Sequence, residues 1–83
     1  MIVGREETIL KINTFLIEEF ELEQHQLVQD ASLKDDLDIE SLDFVDIAVI
    51  LENNFGVKVS SEHLGKIITL RDLYQFVIDY KEN

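Results

Sequence analysis

Three segments of the chain repeat apolar residues at three- and four-residue spacing, and no proline interrupts any of them. That spacing puts one apolar stripe along the side of an α-helix. Ile9, Ile12, Leu16 and Phe20 mark the first helix, between Arg5 and Phe20. Phe44, Ile47, Ala48, Leu51 and Phe55 mark the second, from Ser41 to Phe55, with Gly56 placed to end it as a left-handed cap. The third follows Thr69-Leu70-Arg71-Asp72, which has the form of a capping box, and carries Leu70, Leu73, Val77 and Tyr80 with Phe76 alongside. After an extended Val57-Lys58-Val59, the segment from Ser60 to Gly65 offers a capping serine and a terminating glycine for one short helix. Strands at Val57 to Val59 or Ile67 to Leu70 are too short to compete. The expected fold is all-α: a small bundle of three main helices plus one short helix.

Between Glu21 and Glu40 the period is lost, which predicts a long loop between helices one and two. Loops of that length persist in compact domains when side chains pin them, and Leu22, Leu27, Val28, Leu33 and Leu37 are the expected pins. At 83 residues, 46% of them hydrophobic, the chain has room for a single domain, residues 1–83, with a core of modest size. A monomer is expected. No cysteine is present, so disulfides, thiolate metal sites and a thiol nucleophile are all excluded.

Eighteen acidic residues against seven basic ones leave a formal net charge of −11. Nucleic acid and anionic membrane surfaces would repel such a chain, whereas basic protein surfaces would attract it. The longest apolar run, Ile47 to Leu51, is too short to span a bilayer, and the N-terminus lacks a basic-then-apolar leader pattern, so no membrane insertion and a cytoplasmic location are expected. Asp36, Asp38 and Glu40 alternate like the first ligands of an EF-hand loop, but Ser41 and Ile47 stand where that loop needs glycine and glutamate. His25 and His63 lie in polar segments without a ligand pattern around them and are expected to face solvent. No metal site is expected.

Helix two carries more apolar surface than one core face requires. At about 100° per residue, Leu42, Val45 and Val49 form a second stripe, close to Ser41 and bordered by Asp46, Glu52 and Asn53. Two readings compete: the stripe packs under the long loop, or it forms a small apolar patch rimmed by carboxylates and suited to transient docking on a basic partner. Ser41 poses a similar choice. A serine ahead of an apolar helical run is ordinarily an N-cap. A catalytic nucleophile would need a histidine base at helical or turn spacing, and none is present, so the chain is not expected to be an enzyme.

A longer pattern bears on Ser41. Asp30-Ala31-Ser32-Leu33, Asp36-Leu37, Glu40-Ser41-Leu42-Asp43, Leu51-Glu52, Phe55-Gly56-Val57 and the run from Ile67 to Tyr74 together resemble the acyl carrier protein family, over about residues 5 to 80. The resemblance implies that Ser41 carries 4'-phosphopantetheine, donated by coenzyme A, whose thiol holds an acyl group as a thioester. It implies a carrier for fatty-acid, polyketide or related lipid synthesis, with an aminoacyl or D-alanyl carrier, or an unmodified acidic helical adaptor, as the alternatives. Helix two then becomes the recognition helix, with Glu40, Leu42, Asp43, Val45, Asp46, Val49 and Glu52 facing partners. Those partners would be a phosphopantetheinyl transferase, an acyl-loading ligase or transferase, and synthases and reductases with basic docking surfaces. Three departures stand out. Asp38-Ile39-Glu40 replaces the family's Gly-Ala-Asp or Gly-Leu-Asp, Phe44 fills a position often held by a smaller residue, and Asn53-Asn54 interrupts an acidic run. The glycine is lost at Asp38, and Phe44 is expected to make the internal acyl cavity shallow.

Overall fold

The computed structural model describes residues 4–82, and the side chains of residues 4–80. Residues 1–3 and 83 of the expected domain lie outside the described residues. Helix α1 runs Gly4–Phe20, a 3-10 turn follows at Gln24–Gln26, and helices α2, α3 and α4 span Ser41–Phe55, Ser61–Lys66 and Leu70–Glu82. Helix α4 packs against both α1 and α2. The all-α expectation holds.

The apolar stripes converge on one core. Ile12 and Leu16 of α1, Ile47 and Leu51 of α2, and Leu70, Leu73, Tyr74, Val77 and Ile78 of α4 are all buried. Ile9, Phe20, Phe44 and Phe55 pack against its margin. Tyr80, expected in the stripe of α4, is exposed instead. The buried stripe is centred on Leu70, Leu73, Tyr74 and Val77, so a residue ten positions on from Leu70 falls past its edge, where the Tyr80 ring meets Phe76. Tyr74 takes the interior place, and its hydroxyl donates to Asn13 Oδ1 of α1. Burial pushes the Tyr74 hydroxyl above the usual phenol range.

Helix ends follow local chemistry. Gly56 sits at φ 69°, and its N–H reaches Glu52 O at 3.0 Å, closing α2 as expected. The chain then turns Val57 fully into the core, giving the left-handed cap its usual apolar partner. Thr69 and Asp72 form the expected box at the start of α4. Asp72 N–H donates to Thr69 Oγ1 at 3.2 Å, and Thr69 N–H donates back to Asp72 Oδ2 at 3.1 Å. Gly65 does not end α3; it lies inside the helix. The stop comes from Ile67, which turns extended at φ −90° and ψ 101° and is drawn into the core.

The long loop is pinned as expected at Leu22, Leu33 and Leu37, while Leu27 is half-buried. Val28 is not a pin. It is 55% exposed, and Ala31 and Ile39 are buried in the same loop instead. The reason is a backbone zipper between the loop and the start of α4. Leu33 N–H donates to Ile68 O, Leu70 N–H to Ala31 O, and Arg71 N–H to Gln29 O, each at 3.0 Å, around an isolated bridge between Ser32 and Thr69. Arg71 reinforces it through Asp30 at 2.9 Å and Gln29 at 3.3 Å. This register turns Ala31 and Leu33 inward together and leaves Val28 beyond its end.

Candidate functional site

Ser41 is reached through a stretch whose side chains alternate between core and solvent. Leu37 and Ile39 are buried, whereas Asp38, Glu40 and Ser41 are exposed. Ile39 is held twice, by its side chain in the core and by its N–H donating to Leu33 O at 2.8 Å. Since Leu33 is in turn tied to Ile68, the zipper fixes where α2 begins. Ile39 is the anchor of the site, and the sequence offered a signal for it in the Leu37, Ile39 alternation.

Asp38 adopts φ 56°. This left-handed turn is where the resembled family places glycine, and aspartate is among the few other residues that tolerate it. The loss of glycine at Asp38 therefore leaves the backbone turn intact.

The first residue of α2 is Ser41, and the cap is Glu40, extended at φ −89° and ψ 170°. Asp43 closes the helix start: its Oδ2 accepts from Glu40 N–H at 3.0 Å while its own N–H donates to Glu40 O at 2.9 Å. With capping done by Glu40 and Asp43, the Ser41 hydroxyl has no hydrogen-bond partner among the described residues. The N-cap reading of Ser41 does not describe this geometry. Its oxygen stands exposed at the positive end of a four-turn helix, where backbone N–H groups and the helix dipole favour an attached anion.

The neighbouring face is open. Leu42 is 83% exposed, Val45 56% and Val49 50%, so the second apolar stripe does not pack under the loop. Glu40, Asp46 and Glu52 are exposed around it. Asp43 is half-buried and has one oxygen engaged in the cap. Of the seven residues assigned to this face from the sequence, six are exposed, and Asp43, half-buried, serves the helix start. Phe44 points the other way, half-buried against the core. A separate groove of about 380 Å³ between α1 and the end of α2, lined in part by Leu10, Phe15 and Phe55, lies away from Ser41.

Neither histidine forms part of the site. His25 is exposed, 3.2 Å from Glu23. His63, expected to face solvent, is instead half-buried against Phe76, with ring centroids 4.9 Å apart. No helix among the described residues is long and apolar enough to cross a membrane.

Ser41 thus presents an unengaged hydroxyl at an exposed helix start, beside an apolar face bordered by carboxylates. The family model described as phosphopantetheine attachment site matches residues 11–77. The chain is 36% identical to an acyl carrier protein of Thermotoga maritima over 89% of its length and 91% of that protein. It is 35% identical to a meromycolate extension acyl carrier protein of Mycobacterium leprae, over 99% of this chain and 71% of the relative. The solved structure of the acyl carrier protein from Enterococcus faecalis superposes with a TM-score of 0.78 at 28% identity, covering 92% of this chain and 96% of that one. The chain belongs to this phosphopantetheine-attachment family of acyl carrier proteins, whose members hold 4'-phosphopantetheine covalently.

Proposed function

We propose that Ser41 is the attachment point and that the protein carries acyl groups to enzymes of fatty-acid, polyketide or related lipid synthesis. The observation that carries this reading is the free, exposed Ser41 hydroxyl at the first position of α2, with Glu40 and Asp43 doing the capping. Ser41 Oγ is the nucleophile toward the pyrophosphate of coenzyme A: the new Oγ–P bond forms as the pyrophosphate bond breaks, adenosine 3',5'-bisphosphate departs, and the serine proton passes to a general base. Once attached, the arm supplies the thiol that holds the acyl group as a thioester.

The chain's own contribution is positional. Ile39 and Leu37 hold the helix start against the core, and the α2 face offers Leu42, Val45 and Val49 ringed by Glu40, Asp46 and Glu52. Complementary charge of this kind accelerates encounter with basic surfaces and makes it sensitive to salt. The partners fitting it are a phosphopantetheinyl transferase, an acyl-loading ligase or transferase, and synthases and reductases. The protein acts as a cytoplasmic, monomeric cosubstrate without catalysis of its own.

The test is intact mass after incubation with coenzyme A and a broad-specificity phosphopantetheinyl transferase. The native chain should gain one phosphopantetheine and Ser41→Ala none. A native chain that stays unmodified, or a Ser41→Ala chain that is modified, refutes the assignment.

A further inference from the structure

One device recurs at the described helix starts: the side chain three residues past the cap reaches back to accept the cap's own N–H. Asp43 does so for Glu40 at 3.0 Å, Asp72 for Thr69 at 3.1 Å, and Gln26 for Glu23 at 2.8 Å. At α3 the acceptor is an imidazole. Ser60 N–H donates to His63 Nδ1 at 3.2 Å, while His63 N–H donates to Ser60 Oγ at 3.3 Å. The carboxylates of the other boxes remain acceptors throughout the neutral range, and an amide accepts at every pH. An imidazole nitrogen accepts only when it is unprotonated.

We propose that His63 is a proton-operated latch on α3. In the neutral ring Nδ1 accepts the Ser60 amide and closes the first turn. Taking up a proton puts N–H on both ring nitrogens, so Nδ1–H would face Ser60 N–H donor against donor. The ring then has to turn, giving up Ser60 and disturbing its contact with Phe76. A positive charge in the first turn also opposes the helix dipole, so both effects act in the same direction. The Ser60 Oγ half of the box survives, and Ile67 stays anchored in the core at the far end. Protonation therefore frays the start of α3 without melting the bundle.

The charges facing this ring are known. Lys66 comes from α3 itself and Asp72 and Asp79 from α4, and all three line a groove of about 240 Å³ with His63, Gln75 and Phe76. Glu62 precedes the ring in sequence. Asp72 is occupied by the amides of Ile68 and Thr69, and Asp79 accepts from Gln75 Nε2. Neither aspartate is drawn toward the Ser60 amide, so neither replaces the lost acceptor.

Because opening the latch takes up a proton, lowering the pH favours the open form. The experiment is a titration from about pH 8 to about pH 5, the interval in which histidines change charge, followed by amide and imidazole NMR. The Ser60 amide should shift with the same midpoint as the His63 ring. Its exchange protection, corrected for intrinsic rates, should fall by about 3- to 10-fold, the loss of one net hydrogen bond. In His63→Asn the side-chain oxygen accepts at every pH, and Ser60 protection should stay constant. His25→Gln should retain the full response. A Ser60 amide that ignores the titrating His63 ring overturns the proposal, as does a response that persists in His63→Asn. None of these outcomes depends on modification of Ser41.

Discussion

Leu42→Ala separates partner recognition from folding. Leu42 is 83% exposed, so its side chain contributes almost nothing to the core, and truncation should move the urea unfolding midpoint by less than about 0.5 kcal/mol in free energy. Docking would change that side chain's surroundings completely. The substitution removes three carbon groups worth about 0.8 kcal/mol each when buried, about 2.4 kcal/mol in total. Scaling by the exposed fraction that a partner can still cover leaves about 2 kcal/mol, or roughly 30-fold in rate or affinity. The assay is kcat/KM of a phosphopantetheinyl transferase or an acyl-loading enzyme with the variant as substrate, alongside equilibrium unfolding of the same preparation. A carrier face predicts a loss of that order with unchanged stability. Unchanged kcat/KM with every partner tested would refute the docking role. A loss of stability matching the loss of activity would refute the separation of the two stripes.

Asp72→Ala should cost about 1 kcal/mol at neutral pH, the typical value of a lost cap, measured by urea denaturation in high salt so that relief of charge repulsion does not mask it. The Asp72 carboxyl is held below its ordinary value of about 3.8, first by the Thr69 amide and then by the Ile68 amide. A depressed carboxyl stabilises the fold when ionised, so its contribution is complete above about the unfolded value and fades as pH falls through the folded one. The gap between wild type and Asp72→Ala should accordingly close below about pH 3.8, and a gap that stays constant there contradicts the assigned cause. Phe44 sits at the margin of the core, so Phe44→Ala should cost roughly 2 kcal/mol, below the 3 to 5 kcal/mol typical of a fully buried ring. Unfolding midpoints of this variant and of Leu51→Ala, which lies wholly inside, should therefore rank Leu51 as the costlier loss.

The helix bounds were legible because the forces that set them are local. Apolar spacing placed α2 at Ser41 to Phe55, and Gly56 ended it, since a left-handed cap needs only a few neighbouring residues. The box at Thr69 and Asp72 was equally local. Errors arose where a neighbour far along the chain decided the outcome. Val28 and Leu33 look alike as apolar residues of a loop without helical period. The pairing of residues 29–33 with 68–71 buries one and leaves the other in solvent. Gly65 looked like a stop signal, but the pull of the core on Ile67 set the end of α3 two residues later.

For the site, the sequence by itself determined the chemistry on offer: a serine at a helix start, an acidic surround and a second apolar stripe at 100° spacing. It also carried the family pattern around them. Only the tertiary structure decided which of those features are free to act. Packing of α4 against α1 and α2 covers Ile47 and Leu51 and leaves Leu42, Val45 and Val49 in water. Burial of Ile39 and the Glu40–Asp43 cap then leave the Ser41 hydroxyl unengaged. Periodicity assigns residues to faces of a helix, but whether a face is core or surface depends on what the rest of the chain brings against it.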